Sequence, residues 1–131
     1  MLSALALASE RLLEWFHDVK RRPGITDGRH GFDLRLFNAD SRPVVDVLAY
    51  VELKFAQSAP ASWTVTAQWN GVQWELEASV ARQKNGEEER LFSTGVEHGA
   101  TAEEFVTTLR RVVDQLVAVQ PLSIASQPGD G

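Results

Sequence analysis

Two Asn-Gly pairs, at 70–71 and 85–86, constrain this chain more than any other feature. Asn-Gly between two alternating segments is the strongest short-range hairpin signal, because both residues tolerate the positive φ that a tight type I′ turn needs. The first pair lies between 62–69 and 72–83, where apolar and polar residues alternate. A two-residue turn there sets Trp69 opposite Val72, Ala67 opposite Trp74, Val65 opposite Leu76 and Trp63 opposite Ala78, all apolar. The intervening pairs Gln68–Gln73, Thr66–Glu75 and Thr64–Glu77 are all polar. A slip by one residue mixes the faces, so turn chemistry and pattern agree on this register. The second Asn-Gly sets Lys84 opposite Glu87, Arg82 opposite Glu89 and Val80 opposite Leu91, which predicts a further strand over 87–94.

Alternation extends upstream. Phe32, Leu34 and Leu36 share one face of a strand over 31–37; Val45, Val47, Ala49, Val51, Leu53 and Phe55 share one face of a strand over 44–55. Residues 23–31 and 38–43 are rich in turn formers and read as loops. An apolar stripe at helical spacing (Leu5, Ala8, Leu12, Phe16, Val19) predicts a helix over 3–20, stopped by Pro23-Gly24. Ala6-Leu7-Ala8 looks like a cleavage site, but no basic segment or long apolar core accompanies it, so the helix is the better reading. Thr101 and Glu104 form a capping box before a second helix running to about residue 119, with Phe105, Leu109, Val112, Val113 and Leu116 inward. Pro121 ends it, and 122–131 reads as a flexible C-terminal tail. The expected architecture is one α+β domain over 1–121, in the order α-β-β-β-β-β-α. It is a two-layer fold: a five-stranded antiparallel meander sheet with the N- and C-terminal helices packed on one face.

Composition narrows the function. Of 131 residues 13 are basic and 18 acidic, for a net charge of −5. The whole excess lies after position 65, where five basic residues face ten acidic ones. Phosphate recognition needs concentrated positive charge, so a nucleic-acid partner is not expected. With no cysteine, disulfides, thiolate metal sites and a cysteine nucleophile are excluded. No apolar run approaches the roughly 20 residues of a bilayer span, so a cytoplasmic protein with no membrane partner is expected.

Chemistry-bearing groups are sparse. His17, His30 and His98 match no metal-site spacing. Asp27-Gly28-Arg29-His30-Gly31-Phe32-Asp33 is the best enzymatic candidate, yet its Gly pattern is not a phosphate cradle and a helix-to-strand turn explains it more simply. Glu75 and Glu77 lie about 7 Å apart along one strand face, on what reads as a solvated surface where carboxylates make poor acids. Trp63, Trp69 and Trp74 fall on the apolar face and read as core. No catalytic residue, metal or cofactor is expected.

One anomaly points to binding. The sheet's outer face is mostly polar, but Phe37, Leu48, Tyr50 and Phe92 project from it beside Glu52, Glu75 and Glu77. Exposed apolar patches with a charged rim mark interaction sites. A strand slip at a bulge is one alternative, and homodimerisation through the sheet face is another. The expected function is therefore a non-enzymatic protein-binding module of bacterial immunity or adaptor type, docking a basic protein partner through its sheet face. The competing reading is a small-molecule-binding protein or small enzyme, with a cavity between the helices and the Trp-lined face. In size, charge and architecture the chain resembles toxin-neutralising immunity proteins and secretion chaperones, and it carries no motif specific to either.

Overall fold

The computed structural model describes residues 2–40 and 42–125. Helix α1 (Leu2–Val19) leads into β1 (Ile25–Ala39), β2 (Arg42–Phe55), β3 (Ala61–Trp69), β4 (Trp74–Lys84), β5 (Glu87–Ser93) and the short β6 (Glu97–Gly99). Helices α2 (Ala102–Val117) and α3 (Pro121–Ala125) follow. The strands form one antiparallel sheet in chain order β1-β2-β3-β4-β5, with β6 pairing β4 beside β5. The fold is the expected α+β architecture, a five-stranded antiparallel meander with the short β6 added as a sixth strand.

One core joins the layers. Leu5, Leu12, Phe16 and Val19 of α1 and Phe105, Leu109, Val112 and Leu116 of α2 pack on Val51, Leu53, Trp63, Leu76 and Val80 of the sheet. The Trp63 indole N–H donates to the Val119 carbonyl at 3.1 Å, which satisfies the one polar atom of that fully buried ring. Trp74 packs on Phe105 with ring centroids 4.4 Å apart. At the start of α2 the Thr101 hydroxyl accepts from the Glu104 amide (3.1 Å), while the Glu104 carboxylate accepts from the Ala100 amide (3.0 Å). Two otherwise orphaned N–H groups are thereby satisfied.

Four expectations change. Residues 25–30, expected as a loop, are strand: β1 runs back to Ile25 because β2 is long enough to pair with it through Phe55. Gly28 permits this, since an added Cβ would meet the Phe16 ring at 2.7 Å. The β3–β4 register is shifted by two, giving Trp69↔Trp74, Ala67↔Leu76, Val65↔Ala78 and Trp63↔Val80. The cause is a longer connection, Asn70–Gln73. The Asn70 side-chain oxygen accepts from the Val72 and Gln73 amides at 2.9 and 3.0 Å, while Gly71 takes the positive φ of 96°. A two-residue shift leaves every side chain on its expected face, which is why the binary pattern is blind to it.

The second hairpin keeps its expected pairs Arg82↔Glu89 and Lys84↔Glu87 around Asn85 (φ 53°) and Gly86 (φ 80°). A bulge between Val80 and Ala81 then sets Val80 opposite Phe92 instead of Leu91. Phe92 thereby turns to the helix side and packs, half-buried, against the core. Finally, the first residues of the expected tail are helical. Pro121–Ala125 is a helical turn whose Ile124 is buried, and residues 126–131 of that tail lie outside the described residues.

Candidate functional site

The outer face of the sheet collects six of the seven residues expected to bind a partner, and Phe92 is the exception. Phe37 is exposed opposite Val44, Leu48 lies between Asp33 and Thr66, and Tyr50 lies between Gly31 and Thr64. The Tyr50 ring covers Gly31 so closely that an added Cβ there would come within 2.5 Å of it. Leu48 and Tyr50 are half-buried. The apolar patch therefore shrinks to Phe37 and the upper edges of its neighbours.

The carboxylates of this face are largely matched. Glu52 pairs with Arg29 (3.0 Å), Asp46 with Arg35, Glu77 with Arg90 (3.3 Å), and Glu75 lies 3.8 Å from His98 Nε2. Hydrogen bonding to Glu52, and secondarily its charge, raises the Arg29 pKa above the usual guanidinium value. Exposed pairs of this kind add little to stability, because solvent and salt screen them. Their consequence is electrostatic: the face is a mosaic of matched charges, and a basic partner would have to displace the arginines. Glu75 and Glu77, read as a conceivable carboxylate pair, each face a side chain of a neighbouring strand, His98 of β6 and Arg90 of β5.

The largest run of exposed apolar side chains lies elsewhere. Phe32, Leu34 and Leu36 point to the helix side of β1, yet they are 49%, 46% and 72% exposed. Alternation put them on the core face, and that is the face they occupy. What it could not supply is the cover. Strand β1 is the first strand of the meander and so a free edge. Phe32 borders the crevice where Leu5, Ala8 and Leu12 of α1 meet Val47 and Ala49 of β2. Beyond it, Leu34 and Leu36 extend out of the helices' reach. The signal was partly present in the sequence: in a meander the first strand is an edge, with a neighbouring strand on one side only.

The other groups raised by the sequence are placed as follows. Asp27 caps the Gly28 amide (2.8 Å) within β1, so the expected loop of candidate catalytic groups is a strand. The His30 ring packs on Phe16 (5.1 Å) and lies 6.4 Å from that of His17. Among the described residues, no three His, Asp or Glu side chains are placed to hold a metal. Between the helices and the Trp-bearing face there is a void of about 20 Å³, room for about one water molecule. A larger space, about 410 Å³, is an open groove between α1 and α2, crossed by the Arg11–Asp114 pair at 3.3 Å.

No protein-family model, curated protein or solved structure matches this chain. The fold itself defines the class: an α+β domain with a meander sheet whose first strand is uncovered. No helix of the described residues is long and apolar enough to cross a membrane.

Proposed function

We propose that this chain is a non-enzymatic, acidic protein-binding module of adaptor or immunity type, and that it docks its partner through the β1 side of the sheet. The observation that carries the reading is the row Phe32, Leu34, Leu36, all exposed on an edge strand that runs from Ile25 to Ala39. Protein edges are usually blunted by short strands, lysines or prolines, because unpaired N–H and C=O groups template further pairing. The middle of β1 has no lysine or proline, its charges Asp33 and Arg35 are of opposite sign, and its one bulge, between Ile25 and Asp27, lies at the far end. Phe37 on the opposite face of the same strand adds an anchor, so a polypeptide paired to β1 gains main-chain hydrogen bonds together with apolar contacts on both faces. The groove between α1 and α2 is the weaker candidate, because charged Glu10, Arg11, Glu14 and Arg110 line it.

The test is site-specific photo-crosslinking in the native cell, with a photoreactive residue at position 36 and, as control, at the exposed position 88 on β5. Adducts with a polypeptide, identified by mass spectrometry, are expected from position 36 and absent from position 88. Adducts that form equally at both sites, or at neither, refute the reading.

A further inference from the structure

We infer that the partner of β1 is a second copy of this chain, paired antiparallel about a two-fold axis through Leu34. The inference rests on the proposed β1 docking edge and adds its occupant and register.

Antiparallel pairing restricts how two copies of β1 can meet. Outward-facing N–H groups alternate along an edge strand, so two copies of β1 can pair only with a residue, never a peptide midpoint, on the axis. That condition also keeps the apolar side chains of both copies on one face of the joined sheet. Five registers, centred on residues 32 to 36, set at least one of Phe32, Leu34 and Leu36 against another of them across the pair, and no other centre does. The charges on the outer face choose among them, since like charges directly opposite are destabilising. A centre at Asp33 sets Asp33 against itself, and a centre at Arg35 sets Arg35 against itself. A centre at Phe32 sets Arg35 against Arg29, and a centre at Leu36 leaves Asp33 opposite Ala39 and Arg35 opposite Phe37. Only the Leu34 centre sets Arg35 opposite Asp33 twice, once on each side of the axis.

The same register completes the remaining positions. On the helix side Leu34 meets Leu34, and Phe32 meets Leu36 twice, so all three exposed side chains gain apolar neighbours. On the outer face Phe37 meets Gly31, the pairing in which an aromatic ring covers an edge glycine. It lands beside the Tyr50 ring that already lies over Gly31. Within one copy, Arg35 has Asp46 beside it, whereas Asp33 faces Leu48 and has no ion pair among the described residues. The second copy's Arg35 supplies one. The axis is perpendicular to the sheet, so both α1 helices lie on the same side and the two sheets become one.

Because the chain has no cysteine, engineered disulfides read the register directly. Directly opposite residues have Cα atoms about 4.5–5.5 Å apart, within disulfide range. Leu34→Cys is therefore expected to give mostly covalent dimer under mild oxidation. In Leu36→Cys the two thiols sit four residues apart along the pair, roughly 13 Å, and the variant stays monomeric. Leu36→Cys mixed with Phe32→Cys links again. A charge experiment tests the selection itself. Asp33→Arg alone, and Arg35→Asp made together with Asp46→Asn to spare its in-chain neighbour, each sediment as monomers, and an equimolar mixture sediments as a heterodimer. Near-ultraviolet circular dichroism of the tryptophans checks that each variant is folded. The inference is overturned if the unmodified chain remains monomeric at several hundred micromolar in sedimentation equilibrium, or if Leu36→Cys crosslinks to itself as readily as Leu34→Cys. A monomeric chain whose position 36 still crosslinks to a different polypeptide overturns the second copy and leaves the docking edge standing.

Discussion

The β3–β4 connection offers a quantitative test of why this sheet has the register it has. The Asn70 side chain is half-buried and accepts two backbone N–H bonds, from Val72 and Gln73. Removing an acceptor costs about 0.5–1.5 kcal/mol per bond, so Asn70→Ala is expected to destabilise by about 1–3 kcal/mol. Asn70→Asp keeps the acceptor and is expected to stay within about 0.5 kcal/mol of the parent. Asn70→Gly loses both bonds and adds backbone entropy of about 0.5–1 kcal/mol, for a total of about 1.5–4 kcal/mol. The expected order is Asn and Asp, then Ala, then Gly. A type I′ turn would reverse the last two. There residue 70 takes a left-handed conformation that costs alanine about 1–2 kcal/mol and glycine nothing. Urea unfolding followed by tryptophan fluorescence, at one fixed protein concentration, ranks the four chains. Asn70→Gly at least as stable as Asn70→Ala would refute the side-chain-capped turn, and with it the explanation of the two-residue shift.

Three further outcomes follow from the packing. Thr101→Ala removes the cap of α2 and is expected to lower stability by about 1 kcal/mol, read as a parallel shift of the urea midpoint; Thr101→Ser restores it. Trp63→Phe loses the bond to the Val119 carbonyl and leaves a void in the core, with an expected loss of about 2–4 kcal/mol in the same assay. Gly28→Ala drives a methyl group into Phe16 and is expected to cost about 1–3 kcal/mol. In a double-mutant cycle, Phe16→Leu should recover part of that loss.

Much of the fold is written locally, and the exceptions share a cause. The Asn85-Gly86 turn, the Thr101 cap and the apolar stripes of α1 and α2 are set by neighbours in sequence, and the structure shows them where local rules put them. The shift at Asn70 keeps the two-residue period intact, so only the turn could have revealed it, and Asn70-Gly71 opens a four-residue connection where local rules favour a two-residue turn. The bulge at Val80–Ala81 inserts a residue that no alternation rule anticipates, and it moves Phe92 from the outer face to the core. Strand β1 extends to Ile25 through pairing with β2, a tertiary effect that overrides the turn-forming residues Asp27, Gly28 and Gly31.

The interaction surface was harder to see. Residues Phe37, Leu48 and Tyr50 are on the face assigned to them, but Glu52 and Glu77 have nearby arginines and Glu75 a nearby histidine that sequence order did not bring together. Burial was the missing quantity. Alternation tells which face a residue occupies and says nothing about whether a helix reaches it, so Phe32, Leu34 and Leu36 passed for core.

The central claim is that the free edge of β1 is the docking surface and that a second copy occupies it. Residue-resolved hydrogen exchange across a protein dilution series tests this most directly. As concentration rises, every second amide of residues 29–39, those facing the free edge, should gain protection, while the alternate amides already bonded to β2 should not change. Protection that is the same at all concentrations, or that rises on β5 or in the α1–α2 groove instead, would contradict it.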